Sequence, residues 1–182
     1  MPNVIEETIS KVAGKLGEAK AIVTGLQGVF RQLTLEHKEV AVLLARAAMS
    51  SDGDKRAELW TGIRQMLTAH EEAEELVIYG ELDGRPELED LVKQHRSEAT
   101  QLEAFMQNVD LSLPDTVLWE GSLKQLREAV LRHAHEEEAH LFPRLQKELG
   151  VEWARQVARR YESVRARRVR PVTLVKRSPG EE

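Results

Sequence analysis

The chain has 182 residues, of which 31% are charged and 4% aromatic, with no cysteine and a formal net charge of −5. This size fits one domain with a buried core, and the balance favours packed helices over a sandwich or barrel. The missing cysteines exclude disulfides, thiolate zinc sites and iron–sulfur clusters, and the mild acidity points to neither nucleic acid nor a membrane as partner.

The N-terminus, MPNVIEETIS, carries acidic residues where a secretion signal carries basic ones. No run reaches the roughly 20 apolar residues of a membrane span, so a cytoplasmic protein is expected. Apolar residues at positions 5, 9, 12, 16, 19, 23, 26, 30 and 33 alternate steps of four and three, and His37 occupies the next place on that seam. The pattern predicts helix over 3–49. Gly14, Gly17, Gly25 and Gly28 weaken it by about 1 kcal/mol each relative to alanine, which predicts a break near 25–30. Residues 1–29 form an amphipathic heptad extension with two uses: folding back on its own chain, or pairing with a second copy as a homodimer.

SSDGD at 50–54 reads as a turn. The second helix spans about 55–79, with Leu59, Ile63, Met66, His70, Ala73 and Val77 on one face. GELDGRP at 80–86 is a loop, and Pro86 suits the first turn of the next helix. That helix runs to about 109, with Leu88, Val92, His95, Ala99, Leu102 and Met106 on one stripe. DLSLP ends it, Asp115 is placed to cap the fourth helix, and that helix runs to Leu149 with Gly150 closing it. A last helix covers 151–168, before a basic tail over 169–182. Strand signals are absent. The expected fold is all-α: an antiparallel up-and-down four-helix bundle over 30–150, with an N-terminal helical extension and a C-terminal fifth helix.

One spacing occurs twice. His70-x-x-x-Glu74 lies in HEEAEELVIYG, and His133-x-x-x-Glu137 in HAHEEEAHLFP; His37 lies 33 residues before His70, and His95 lies 38 before His133. Residues i and i+4 of a helix stack on one face, with Cβ atoms about 6 Å apart, so each pair can aim two donor atoms at one point. Each of the four histidines falls in phase with an apolar stripe. Four imidazoles and two carboxylates at one level of a core are costly unless paired, on the order of several kcal/mol for a lone buried carboxylate. A bound cation removes that penalty. Imidazole with carboxylate and no thiolate suits iron or manganese, with zinc open, and two carboxylates able to bridge favour two ions.

These residues resemble the hemerythrin-like (HHE cation-binding) family, whose helices carry His, His-x-x-x-Glu, His and His-x-x-x-Glu, the last segment ending in Leu-Phe-Pro. HAHEEEAHLFPRL follows that pattern from His133, and HEEAEELVIYG follows it with Tyr79 for Phe and Gly80 for Pro; the likeness spans about 30–149. It implies two non-haem iron ions with an oxo or hydroxo bridge. His37, His70, His95 and His133 would be terminal ligands, Glu74 and Glu137 bridges, and an open position would take dioxygen, peroxide or nitric oxide. The chain departs from the oxygen-carrying branch, which has a second histidine where Ala99 stands and an aspartate five residues after its last histidine, where Glu138 stands. The expectation moves from dioxygen carriage to sensing, scavenging or iron handling, with peroxide breakdown or ferrous oxidation as the catalytic versions.

Other readings stand beside this one. A ferritin-like centre needs Glu-x-x-His twice, and only Glu137 to His140 has that spacing. A structural or interaction module would use the bundle as a scaffold, or as cargo of a protein shell, with the heptad arm and the basic tail making the contacts. Around the motif, His140 is expected at the core or bundle end with a polar partner, or in an access role. His135 should face solvent, and Glu71 should be a solvated acid able to swing in as a further ligand. Tyr79 and Phe142 should be packing residues, and Glu138 or His140 a proton relay.

Overall fold

The computed structural model describes residues 25–113 and 115–168. The heptad arm up to residue 24, any dimer it forms and the basic tail over 169–182 lie outside the described residues. Within them every regular element is helical: α1 (Gly28–Met49), α2 (Gly53–Val77), α3 (Glu89–Ser112), α4 (Thr116–Glu136), α5 (Phe142–Leu149) and α6 (Val151–Arg168). Two short 3₁₀ turns, Tyr79–Leu82 and Pro86–Leu88, join α2 to α3, and a π-turn, Glu137–Leu141, joins α4 to α5. None of these helices is long and apolar enough to cross a membrane.

The helix ends follow local chemistry. Asp52 caps α2 by accepting from the amides of Asp54 and Lys55, and Asp115 caps α4 by accepting from those of Val117 and Leu118. Gly150 adopts φ +87° where α5 ends. Pro86 opens a 3₁₀ turn instead of α3 itself, and α3 runs on to Ser112 before the break.

The main departure from the sequence reading is the fourth helix, which is interrupted by the π-turn directly before Phe142-Pro143. Proline lacks an amide hydrogen, and its ring collides with the carbonyl four residues earlier in an α-helix. Widening one turn relieves that collision and inserts an extra residue into the helical phase.

α3 packs along α4, while α1 contacts α2 and α4. α6 lies against both α1 and α2. The apolar core comes in two blocks. One gathers Phe30, Leu33, Val77, Tyr79, Val92, Phe142, Val157 and Tyr161; the other gathers Val40, Leu44, Trp60, Ile63, Leu67, Leu102, Met106, Trp119 and Val130. Helices α1 to α3 each contribute to both blocks, and α4 contributes to the second while its continuation through the π-turn supplies Leu141 to the first; on each path the chain passes through a histidine: Leu33–His37–Val40, Leu67–His70–Val77, Val92–His95–Leu102 and Val130–His133–Leu141. A polar layer therefore separates the two blocks. Outside it, Arg64 of α2 pairs with Glu103 and Asp110 of α3, and Arg96 of α3 pairs with Glu75 and Asp83. These bridges are partly exposed and contribute modestly.

The chain ends of the described region meet. Gln146 accepts from the Gln27 amide and donates to the Gly25 carbonyl, and Arg155 donates to the Gln27 side chain. Gly28 has φ +56°, and a Cβ there would run into the backbone of Ala154. Gly28→Ala should cost about 2 kcal/mol or more, from positive φ and the lost close approach of α1 to α6. Urea unfolding of the variant checks this, with Gly62→Ala, which has open space around it, as the tolerated control.

Candidate metal centre

Four helices and the π-turn bring the six sequence-predicted residues to one level. His37 comes from α1, His70 and Glu74 from α2, His95 from α3, His133 from α4 and Glu137 from the first position of the π-turn; all six are buried. Candidate ligand atoms of Glu74, His95, His133 and Glu137 lie within 4.8 Å of one another, as do those of His37, His70 and Glu137. The i,i+4 pairs face each other as their spacing requires, with His70 Nε2 at 3.8 Å from Glu74 and His133 Nε2 at 3.7 Å from Glu137. His37 Nε2 lies 3.2 Å from Glu137 Oε2, and His95 Nδ1 lies 3.3 Å from Glu137 Oε1.

These inward atoms are unsatisfied. His37 Nε2, His70 Nε2, His133 Nε2, both nitrogens of His95, both oxygens of Glu74 and Glu137 Oε2 are buried without a hydrogen-bond partner. Buried polar groups are ordinarily paired, so a cluster of orphans aimed at common points is the environment that a cation satisfies. The donor set, imidazole nitrogen and carboxylate oxygen, fits a first-row divalent or trivalent ion.

The outward atoms, by contrast, are held. Glu36 Oε2 lies 3.0 Å from His70 Nδ1, Glu138 Oε1 lies 3.1 Å from His37 Nδ1, and Glu98 Oε2 lies 2.9 Å from His133 Nδ1. Ionised carboxylates only accept, so these contacts place the proton on Nδ1 and leave Nε2 facing inward. His95 is anchored differently. Its ring stacks on Tyr79 at 3.5 Å between centroids, and the Tyr79 hydroxyl donates to Glu137 Oε1 at 2.8 Å. Tyr79 therefore positions a predicted ligand in addition to packing, which its place at the expected bundle end did not indicate.

The best-held carboxylate is Glu36. The Tyr161 hydroxyl donates to its Oε2 at 2.8 Å and stands 3.1 Å from His70 Nδ1, Arg165 lies 3.0 Å from the same oxygen, and Gln32 donates to Oε1. Tyr161 and Arg165 belong to α6, so the fifth helix reaches the polar layer. Sequence reasoning missed Glu36, Glu98, Tyr161 and Arg165. The available signal was a glutamate adjacent to His37, and one tyrosine in an otherwise arginine-rich helix.

Two expectations need correction. His140 is not a core residue: its side chain is 69% exposed, 3.9 Å from Glu136. In an unbroken helix, His140 would repeat the phase of His133 two turns on. The extra residue of the π-turn passes that inward place to Leu141. Glu71 is not a solvated acid: its side chain is 12% exposed, its Oε1 lies 3.6 Å from His133 Nε2, and its Oε2 is a further buried orphan. It groups with His70 and Glu74. Glu138 is buried, with its Oε1 3.1 Å from His37 Nδ1. His135 is exposed, as expected, and Phe142 packs against Phe30 and the His37 ring.

Electrostatics divide the two central carboxylates. Burial raises the Glu74 carboxyl well above its ordinary range, and the charges of Glu137, Glu71 and Glu36 raise it further. Burial works the same way on Glu137, but His133, His37 and His95 outweigh it and hold that carboxyl well below the ordinary range. For His133, burial favours the neutral ring, yet Glu137, Glu98 and Glu71 prevail and lift its pKa to about 10. In the metal-free chain, His133 thus contributes stability that is complete below the ordinary histidine range and is lost as pH rises through about 10.

A cation binding near pH 7 must displace the His133 proton. Calorimetric zinc titrations in buffers of different ionisation enthalpy should therefore report net proton release, with affinity rising with pH. Heats independent of buffer would contradict this protonation pattern. Tyr161→Phe removes one donor from Glu36 and loosens His70. Metal affinity in chelator competition should drop by about tenfold, at the lower end of what outer partners of a ligating histidine contribute.

The sequence profile of the Hemerythrin HHE cation binding domain matches residues 29–145. A protein named DNA nickase, from Nostoc sp. (strain PCC 7120 / SAG 25.82 / UTEX 2576), is 24% identical over 168 residues, covering 90% of this chain and 47% of its own. The chain thus spans about half the length of the curated relative it matches. No solved structure matches. The profile covers well over half of the chain and includes all six inward residues on α1 to the π-turn, while α6 with Tyr161 lies beyond it; the chain belongs to the hemerythrin HHE cation-binding domain family.

Proposed function

We propose that α1 to α4, continued through the π-turn into α5, make an antiparallel up-and-down bundle holding two non-haem iron ions, and that the site binds or reduces a small oxygen or nitrogen species. The observation carrying this reading is the set of buried, unpartnered imidazole and carboxylate atoms in the polar layer. His37 and His70 would serve one ion, His95 and His133 the other. Glu137 belongs to both groups of candidate atoms, which is what a bridge requires, and Glu74 fits the second bridging place. Glu71, buried beside His133 and Glu74, would be a seventh ligand in a site where Ala99 supplies none.

Two adjacent irons exchange two electrons, which is what dioxygen binding and peroxide reduction require. The chain's own residues set the conditions. The apolar blocks on either side exclude bulk water from the layer. Glu36, Glu138 and Glu98 hold three rings with Nε2 inward. The Tyr79 hydroxyl stands 2.8 Å from Glu137 Oε1, where it holds a proton beside the bridge position. The seven-ligand count favours a narrow open position over free dioxygen carriage, and directs the reading to sensing, scavenging or peroxide chemistry. The name DNA nickase belongs to a chain about twice as long, and the ligand class argued here needs no DNA.

Metal analysis should find close to two irons per chain, and air-exposed iron-loaded protein should absorb in the near ultraviolet where bridged ferric pairs do. A colourless aerobic sample at full iron loading would sink the reading. His133→Ala should lower iron content by at least one ion per chain and lower the melting temperature of the iron-loaded protein towards that of the metal-free one, because metal binding stabilises the fold. A scaffold role, with the layer structurally idle, predicts instead no change in stability on metal removal.

A further inference from the structure

Among the described residues, the polar layer borders one sizeable cavity. A cavity of about 140 Å³ opens between α3 and the π-turn, and its floor is His95 and Glu137. The other cavities that touch the layer, beside His133 and between His37 and His70, are about 10 Å³ each, room for one water at most. The π-turn supplies Glu137, His140 and Leu141 to the wall of this cavity.

Its walls form a graded series of donor atoms. At the mouth, His140 and Glu136 are 69% and 42% exposed and lie 3.9 Å apart. Further in, Glu98 is 27% exposed. At the floor, His95 and Glu137 are each 1% exposed, and they carry unpartnered ring nitrogens and an unpartnered carboxylate oxygen. The mouth thus repeats, in solvent, the imidazole–carboxylate chemistry of the interior. Three carboxylates face the cavity against one guanidinium, Arg144, which donates to the Glu87 carbonyl. A lining of this sign attracts cations and repels anions.

We propose that this cavity is the loading port for a divalent cation, with Glu136 and His140 making the first protein contacts and Glu98 passing the ion to His95 and Glu137. The inference rests on the metal-centre reading and adds a direction to it: the His95–His133 half is reached first, and the His37–His70 half, which has no comparable opening, is filled through it. Gln94 stands on the opposite wall, exposed, and donates to Glu98 Oε1 at 2.9 Å.

The test is stopped-flow uptake of cobalt(II) by the metal-free full-length chain, followed by ligand-field absorbance, in wild type, Glu136→Lys and Gln94→Lys. Each variant puts a positive charge at the mouth, one on either wall, without replacing any of the six inward residues or Glu71, and Gln94→Lys keeps a donor beside Glu98. Glu128→Lys, exposed two turns earlier on α4 and outside the cavity, makes the same charge change elsewhere. Both mouth variants should load about tenfold more slowly, the low end of what a charged cleft does to an on-rate. They should reach the same final cobalt stoichiometry, and their deficit should shrink as salt is raised. Glu128→Lys should load like wild type. Wild-type rates in both mouth variants, or equal slowing in Glu128→Lys, would overturn the port while leaving the metal centre intact. A wild-type chain that takes up no cobalt at equilibrium would overturn the centre itself.

Discussion

The structure depends on how a layer of ionisable groups is kept inside a helical core. His37, His70, Glu74, His95, His133 and Glu137 divide the apolar interior into two blocks, and hydrophobic burial above and below cannot satisfy them. Two kinds of interaction make the layer tolerable. On its outer side, carboxylates accept from the Nδ1 atoms of three histidines. On its inner side, orphaned atoms converge where a cation would lie. The outer contacts fix ring orientation and tautomer before any ion is bound. This is preorganisation: the ligands are aimed by the protein and need little rearrangement when an ion arrives.

The outer shell is not symmetric. His70 is backed by Glu36, which itself is held by Tyr161, Arg165 and Gln32. His133 is backed by Glu98, held only by Gln94 and partly open to solvent. His95 has no outer carboxylate and leans on the Tyr79 ring. The two ends of the polar layer therefore sit in different surroundings. One is tied to α6, the other borders the cavity. An asymmetry of this kind would give a cation different affinity and different access at the two ends.

Much of this was readable from residue order. Helix identity, the Asp115 cap, the Gly150 stop and the convergence of six residues all follow from periodicity, since i,i+4 pairs in phase with an apolar stripe have only one place to go. What escaped the sequence depends on events that periodicity does not encode. The π-turn inserts a residue just where the pattern looked most regular, so His140, a heptad after His133, turns outward while Leu141 turns in. Pro143 was the local cue, but proline signals a disturbance without specifying its form. Tyr161 and Arg165 were invisible for another reason: they act across 125 and 129 residues of chain on Glu36, and only tertiary packing brings them there. Glu71 looked solvated because it follows His70 directly, yet its side chain reaches across the polar layer to 3.6 Å from His133.

The meeting of α1 with α6 bears on how the protein is made. Phe30 and Leu33 share their apolar block with Val157 and Tyr161, and Gly28 nests against Ala154. During synthesis from the N-terminus, the histidine-bearing helices leave the ribosome before the segment that covers Glu36 and His70. Until residue 161 emerges, that half of the layer has an open flank and lacks its hydroxyl and guanidinium supports. The nascent chain therefore passes through a stage in which ligands are present but their enclosure is incomplete. Translation order thus gives α6 the role of closing an interior that earlier helices have already begun to define.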